Sequence, residues 1–289
     1  MWRRVMTKFL EEGHEIYALD WLGHGRSDKP RRDSITFELH MRTLSAFFNQ
    51  LQLKNVIMVA HSWGGCVALC CIPHLPSSSC SGLFLINSFL PHRPDEMSRD
   101  CGLLYCLWFL MSKVLDGFIS ETTIMRLISP QILEGDIEAY SAPYQHLPAY
   151  AKPTTEHFAH IGTALPQFFL KYIRETPLWK VCEAICGPRN FSDLNTLALL
   201  SERADTARYY WQEKQREDVK ETIQERLKIV VVFGDRDPLP KGYKETLVHL
   251  IGKEYMADWA SDGIWLNNAG HFPMEDKPED VANLIARLT

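Results

Sequence analysis

The sequence predicts an α/β protein with a mostly parallel sheet and a helical subdomain inserted into it. Three observations carry that expectation. Short, nearly continuous apolar runs rich in β-branched and aromatic residues alternate with helical stretches at both ends of the chain. A long central region contains no convincing strand. The apolar run "VIMVAHSWGGCVAL", Val56 to Leu69, stops at a lone serine before the pattern turns helical.

The strand-like runs are "HEIYALDW" (His14 to Trp21), "NVIMVA" (Asn55 to Ala60), "GLFLINSF" (Gly82 to Phe89), "KIVVVFG" (Lys228 to Gly234) and "GIWLN" (Gly263 to Asn267). Continuous rather than alternating apolarity suits central parallel strands covered on both faces. Helical stretches separate most of them. "MWRRVMTKFLEEG" is amphipathic, as is "TFELHMRTLSAFFNQLQL". "KPEDVANLIARL" starts with Pro278 and puts Glu279 and Asp280 in its first turn, where acidic groups favour a helix N-terminus. From about Pro91 to Asp218 the chain is helical in pattern, rich in aromatics, and punctuated by prolines at 130, 143, 148, 153, 166, 177 and 188. The expected organisation is therefore a core of residues 1–90 and 219–289, interrupted by a helical cap at 91–218.

Composition narrows the classes. The 289 residues can bury a large core, and 46% apolar with 23% charged residues is ordinary for a soluble globular protein. A net charge of −5 without a long Lys/Arg cluster gives no footprint for nucleic acid. The N-terminus has no signal-peptide apolar region. "GLLYCLWFLMSKVLDGFI", Gly102 to Ile119, is the most membrane-like segment, but Lys113 and Asp116 interrupt it. Its clean apolar run falls short of the ~20 residues that cross a bilayer, so it reads as a buried helix. The eight cysteines (Cys66, Cys70, Cys71, Cys80, Cys101, Cys106, Cys182 and Cys186) form no CxxC pair, and most lie in apolar runs. They read as buried free thiols in a reducing compartment, which points to the cytoplasm. Cys182 and Cys186 at i, i+4 lack a histidine to complete a metal site, and no metal is expected.

Ser62 at the end of a strand could cap the following helix. It could also be a nucleophile lifted out of the sheet by a sharp turn, with small residues at Ala60 and Gly64 relieving the crowding. A hydroxyl becomes nucleophilic only when a base takes its proton and a carboxylate orients that base. The chain supplies both after later strands. "VVVFGDRDPLPKG" offers Asp235 and Asp237, and "WLNNAGHFPMED" offers His271. All three groups then fall at the carboxyl ends of parallel strands, the edge where open α/β sheets build their sites.

In this order of serine, acid and histidine the chain resembles the α/β-hydrolase superfamily. "DWLGHGRSDKP" (Asp20 to Pro30) is similar to a loop of haloalkane dehalogenases and epoxide hydrolases. "AHSWGG" resembles the nucleophile turn, "GDRDPL" the acid loop, and "NAGHFPMEDKPEDVANLI" the histidine loop with its final helix. "EAYSAPYQ" (Glu138 to Gln145) is similar to a cap segment of haloalkane dehalogenases. The resemblance implies an α/β-hydrolase fold with a catalytic Ser62, Asp237 and His271. Asp237, three residues after Gly234, matches the family's acid, and Asp235 is left as a turn residue. Trp63 is expected to give its backbone N–H to an oxyanion. His61 is expected to orient the turn or line the pocket, and His24 to pack within its loop. No cofactor is implied, and the expected partner is a small apolar substrate with no stable membrane insertion.

Two departures matter. Haloalkane dehalogenases use an aspartate nucleophile, whose ester water can hydrolyse, whereas this chain has Ser62. Where haloalkane dehalogenases of this kind bring a second halide-binding tryptophan, this chain has Leu127 and Ile128, which cannot donate a hydrogen bond. Trp108, Trp179 and Trp211 are the possible substitutes, with core packing the plainer role. The expected activity is thus hydrolysis of an ester or similar acyl bond. A dehalogenase-like hydrolase and a non-catalytic binding protein of the same fold are the alternatives. The resemblance also places three strands and an H-G-rich oxyanion loop ahead of the helix that Met1–Gly13 resembles. The expectation is a sheet without those strands, with "IYALDW" either beside a gap or paired directly with "VIMVA", and a weakly active or inactive chain.

Overall fold

In the computed structural model the described residues are 1–30, 37–88, 121–144, 146, 227–237 and 242–289. Four of the expected strands form one parallel sheet: β1 (Val56–His61), β2 (Cys80–Ile86), β3 (Lys228–Gly234) and β4 (Ile264–Leu266), side by side in that order. Helices α1 (Arg3–Glu11), α2 (Phe37–Gln50), α3 (Trp63–Cys71), α4 (Glu121–Ile128), α5 (Glu134–Ser141), α6 (Gly242–Ile251), α7 (Pro273–Asp276) and α8 (Pro278–Ile285) accompany it.

Side-chain alternation along the strands divides the interior into two layers. Leu83 and Leu85 of β2, with Ile229, Val231 and Phe233 of β3, meet Leu44 and Phe48 of α2, the apolar body of α3, and Leu247, Val248 and Ile251 of α6. Phe84, Ile86, Val230 and Val232 point the other way, onto Val5 and Phe9 of α1 and Val281, Ala282 and Ile285 of α8. Both faces of β2 and β3 are thereby covered, which is why these runs are apolar at every position rather than at alternate ones. Val5 and Phe9 sit one helical turn apart on a single face of α1, the reason its sequence reads as amphipathic.

One expected strand does not form. His14 to Trp21 runs without ladder pairing among the described residues, and β1 pairs only with β2 there. The segment is apolar because it packs. Ile16 lies against the α1/α8 layer, whereas Leu19 and Trp21 lie against the α2/α3 layer. The Tyr17 ring meets Phe47 edge-on at 6.1 Å. Burial pattern alone does not make a strand; a neighbouring backbone must supply the hydrogen bonds.

Most of the expected 91–218 subdomain lies outside the described residues. So do Cys101, Cys106, Cys182, Cys186, Trp108, Trp179, Trp211 and the Gly102–Ile119 segment. The described part, 121–144, holds α4 and α5. No helix among the described residues is long and apolar enough to cross a membrane.

His40 of α2 is 3% exposed, its Nδ1 has no hydrogen-bond partner among the described residues, and Trp21 faces its ring at 5.1 Å. Burial pushes its imidazole down to about 4, helped by the nearby His24. The unfolded chain takes up this proton near pH 6.5 and the folded chain only near 4. Stability from this group is therefore lost as the pH falls through that window. Between pH 7 and pH 5 the wild type should lose roughly 1–2 kcal/mol more unfolding free energy than His40→Leu. Urea titrations of both proteins at the two pH values check this, and parallel losses would refute it.

Candidate active site

β1 delivers Ser62 to the carboxyl edge of the sheet in a strained conformation. Its φ of 50° and ψ of −123° put a non-glycine residue in the left-handed half of backbone space. Such geometry costs about 1–3 kcal/mol and persists only where the surroundings impose it. Here they do: Ser62 N–H donates to Ile86 O at 3.0 Å, and Gly65 N–H donates to Ser62 O at 3.0 Å. The strand is thus tied to β2 as α3 begins. The Ser62 side chain makes no capping bond to α3, so capping does not account for a serine here.

The crowding at this turn falls on a different glycine from the expected one. A Cβ on Gly64 would meet only the Trp21 indole nitrogen, at 3.7 Å, within ordinary contact. A Cβ on Gly65 would lie 2.0 Å from Ser88 Oγ and 2.6 Å from Ser88 Cβ. Ser88, fully buried just past β2, occupies the space against which the first turn of α3 must seat.

The acid and the histidine meet from two adjacent strands. After β3 the chain turns at Gly234, with Asp237 N–H donating to Gly234 O at 3.2 Å. The loop is pinned to the end of β4 by Asp235 N–H to Leu266 O and just beyond it by Arg236 N–H to Ala269 O, at 3.0 and 2.9 Å. Asp237 Oδ2 lies 2.9 Å from His271 Nδ1, with the aspartate side chain 2% and the histidine 16% exposed. Asp235 is exposed, so of the two aspartates it is Asp237 that pairs with His271. A carboxylate on Nδ1 selects the tautomer with its proton there and leaves Nε2 as the basic nitrogen.

His61 is spoken for. Its Nε2–H donates to His271 O at 2.7 Å, and its ring lies 4.9 Å from that of His271 and 5.1 Å from that of Phe272. Burial and the neighbouring His271 hold its imidazole well below the usual histidine range. This hydrogen bond ties the end of β1 to the backbone of His271. Trp63 opens α3 and packs partly buried against the α2/α3 layer, its backbone N–H among the first of that helix. His24 keeps to its own loop, with Nδ1 3.2 Å from Leu22 O, and burial lowers its pKa.

One residue of the site was not singled out from sequence. Asn87 follows β2, is fully buried, and has φ of 43°. Its Nδ2 donates to Gly270 O at 2.9 Å and His271 O at 3.0 Å, and its Oδ1 accepts Gly234 N–H at 2.8 Å. Its backbone N–H donates to Val232 O at 2.9 Å. One side-chain amide therefore clasps the loop carrying Asp237 to the loop carrying His271. The available signal was an amide ending the otherwise apolar run of β2.

Residues 1–284 match the alpha/beta hydrolase family. A haloalkane dehalogenase of Psychrobacter cryohalolentis is 27% identical over 145 residues, covering 50% of this chain and 46% of the relative. The chain thus matches less than half the length of that curated relative. Among solved structures, haloalkane dehalogenase DpaA from Paraglaciecola agarilytica superposes with a TM-score of 0.59 at 20% identity, covering 98% of this chain and 77% of that one. The esterase EaEST from Exiguobacterium antarcticum gives 0.59 at 15% identity, covering 100% and 86%. At these identities the superpositions speak for the fold.

Replacing Asn87 by alanine strands the Gly234 N–H and the Gly270 carbonyl in a buried setting, at about 1–3 kcal/mol for each group. Asn87→Ala should lower unfolding free energy by roughly 2–5 kcal/mol in urea at an unchanged m-value. A loss below about 0.5 kcal/mol would mean that water satisfies these groups and that the clasp is dispensable.

Proposed function

We propose, for a chain that belongs to the alpha/beta hydrolase family, a serine-dependent hydrolase acting on an ester or similar acyl bond of a small apolar substrate. The observation that carries the proposal is the Asp237–His271 hydrogen bond at the sheet edge where Ser62 occupies its strained turn. In this reading His271 Nε2 takes the proton of Ser62 Oγ as the oxygen attacks the substrate carbonyl carbon. The carbonyl oxygen becomes an oxyanion near the start of α3, where the Trp63 N–H and the helix dipole favour negative charge. The imidazolium returns its proton to the leaving oxygen, and the acyl group stays on Ser62. Water, deprotonated by His271, then attacks the acyl carbon, releases the acid and restores Ser62. Asp237 holds the imidazole and stabilises its cation without taking the proton. His61 and Asn87 hold the backbone of His271 while this happens.

The names of the matched dehalogenase relatives favour a second reading, halide release from an alkyl halide. The chemistry of Ser62 weighs against it. Attack of a serine on an alkyl halide would give an ether, which has no carbonyl for water to attack. Leu127, 77% exposed, and Ile128 offer no side-chain donor to a departing halide. The described cysteines, Cys66, Cys70, Cys71 and Cys80, are free thiols, which supports a reducing compartment such as the cytoplasm. Burial pushes the Cys71 thiol up to about 12 and the Cys80 thiol up to about 11, so neither is a rival nucleophile.

A fluorophosphonate probe should label the wild-type chain on Ser62, and a panel of p-nitrophenyl esters should be turned over. Ser62→Ala should remain folded and lose both, with turnover down on the order of 10⁴-fold or more. If Ser62→Ala kept over about a tenth of wild-type turnover, the triad assignment would fall. Short chloroalkanes and bromoalkanes should give no repeated halide release. Multiple turnovers that vanish in Ser62→Ala would instead favour the dehalogenase reading.

A further inference from the structure

The Asp276 carboxylate, at the end of α7, is 6% exposed and faces three donors. Its Oδ2 accepts Gly270 N–H at 2.7 Å. Its Oδ1 accepts Ser129 Oγ–H at 2.7 Å and Gln131 N–H at 3.0 Å. Gly270 immediately precedes His271, and Ser129 and Gln131 lie one and three residues past the end of α4. The same two segments meet twice more. His271 N–H donates to Ile128 O at 2.6 Å, and Gln131 Nε2 donates to Asn268 O at 2.6 Å. The contact leaves no slack: a Cβ on Gly270 would lie 2.2 Å from Ile128 O and 2.9 Å from Pro130 Cδ.

The chemistry of this junction is more specific than packing requires. A carboxylate offers acceptors on both oxygens and no donor. That suits a group with Gly270 N–H on one side and Ser129 and Gln131 on the other. An asparagine in the same place would turn one oxygen into an NH₂ and face a donor with a donor. The peptide N–H of His271 is held by Ile128 O, a carbonyl whose own position depends on Ser129 beside it. Fixing both peptides beside the imidazole restricts the backbone from which its side chain projects. Catalysis by a positioned base is sensitive to its placement, because displacements near 1 Å cost about 10²-fold.

We propose that Asp276 is a positioning residue for His271: by bridging Gly270 to Ser129 and Gln131, it seats the catalytic imidazole against the segment that follows α4. The proposal rests on the reading of His271 as the base of a serine hydrolase. The alternative is a brace that stabilises the fold and leaves the chemistry of His271 alone.

The test uses the full chain in four forms: wild type, Asp276→Asn, the milder Ser129→Ala, and Val5→Ala. Val5 is buried in the α1/α8 layer, and its truncation supplies a destabilised control away from the site. Two quantities are read, the rate of Ser62 labelling by a fluorophosphonate and the titration of His271 by histidine-selective ¹⁵N NMR. Asp276→Asn should slow labelling on the order of 10–100-fold and shift the His271 titration midpoint. Ser129→Ala should do the same to a smaller degree, about 3–10-fold, and carries the test if Asp276→Asn does not fold. Val5→Ala should change neither. Labelling rates within twofold of wild type and an unmoved His271 titration in both junction variants would overturn the proposal. So would equal effects in Val5→Ala. Should the wild type not be labelled at all, the serine-hydrolase reading fails, and the His271 titration alone decides on Asp276: a midpoint shifted only in the junction variants upholds the seating, and an unmoved one refutes it.

Discussion

How closely the loop after β3 can lie against the loop after β4 governs everything at this edge of the sheet. Gly234 sets that distance. A Cβ there would stand 2.3 Å from Ala269 O and 2.5 Å from Gly270 O, so any other residue would push the two loops apart. Close approach of two backbones creates polar demand as well as contact, because buried N–H and C=O groups need partners. Arg236 N–H answers Ala269 O, and the Asn87 amide answers Gly270 O, His271 O and the N–H of Gly234 itself. Only with both loops locked in this way can Asp237 sit within hydrogen-bond distance of a histidine 34 residues further along the chain.

Much of this was legible in the sequence. Four of the five apolar runs are strands, because a buried parallel strand must be apolar on both faces and so announces itself. The choice of Asp237 over Asp235 was legible through the family resemblance, as the third residue after Gly234, and Asp237 is the aspartate that pairs with His271. Ser62, at the strand-to-helix turn, adopts the positive φ that a serine there would need to leave the sheet.

What was not legible is equally physical. His14 to Trp21 has strand-like composition, yet composition records burial and not the presence of a neighbouring backbone. The need for smallness at the serine turn was assigned to Gly64 when the tight position is Gly65. The obstacle, Ser88, comes from the segment after β2 and could not be seen locally. Asn87 and Asp276 escaped notice for the same reason. Each is one ordinary polar residue, and its importance lies in partners up to 184 residues away in sequence. Motifs disclose groups that act within a few residues of each other. Groups that join distant loops become visible only when the loops are in place.

The pairing of β2 with β3 carries a consequence for biosynthesis. Gly82 to Ile86 find their partners at Lys228 to Val232, so during translation β2 waits for most of the chain before its second edge is covered. Until then Leu83, Phe84, Leu85 and Ile86, all fully buried in the finished protein, lack the β3 partners they have there. Long-range parallel pairing is slow, and a waiting apolar edge is a target for wrong partners. The nascent chain therefore passes through a long interval in which this apolar strand is not yet paired with β3, a stage at which a chaperone has much to protect. Ser62 emerges early and Asp237 and His271 late, so a chain arrested before β4 would hold Ser62 without the Asp237–His271 pair.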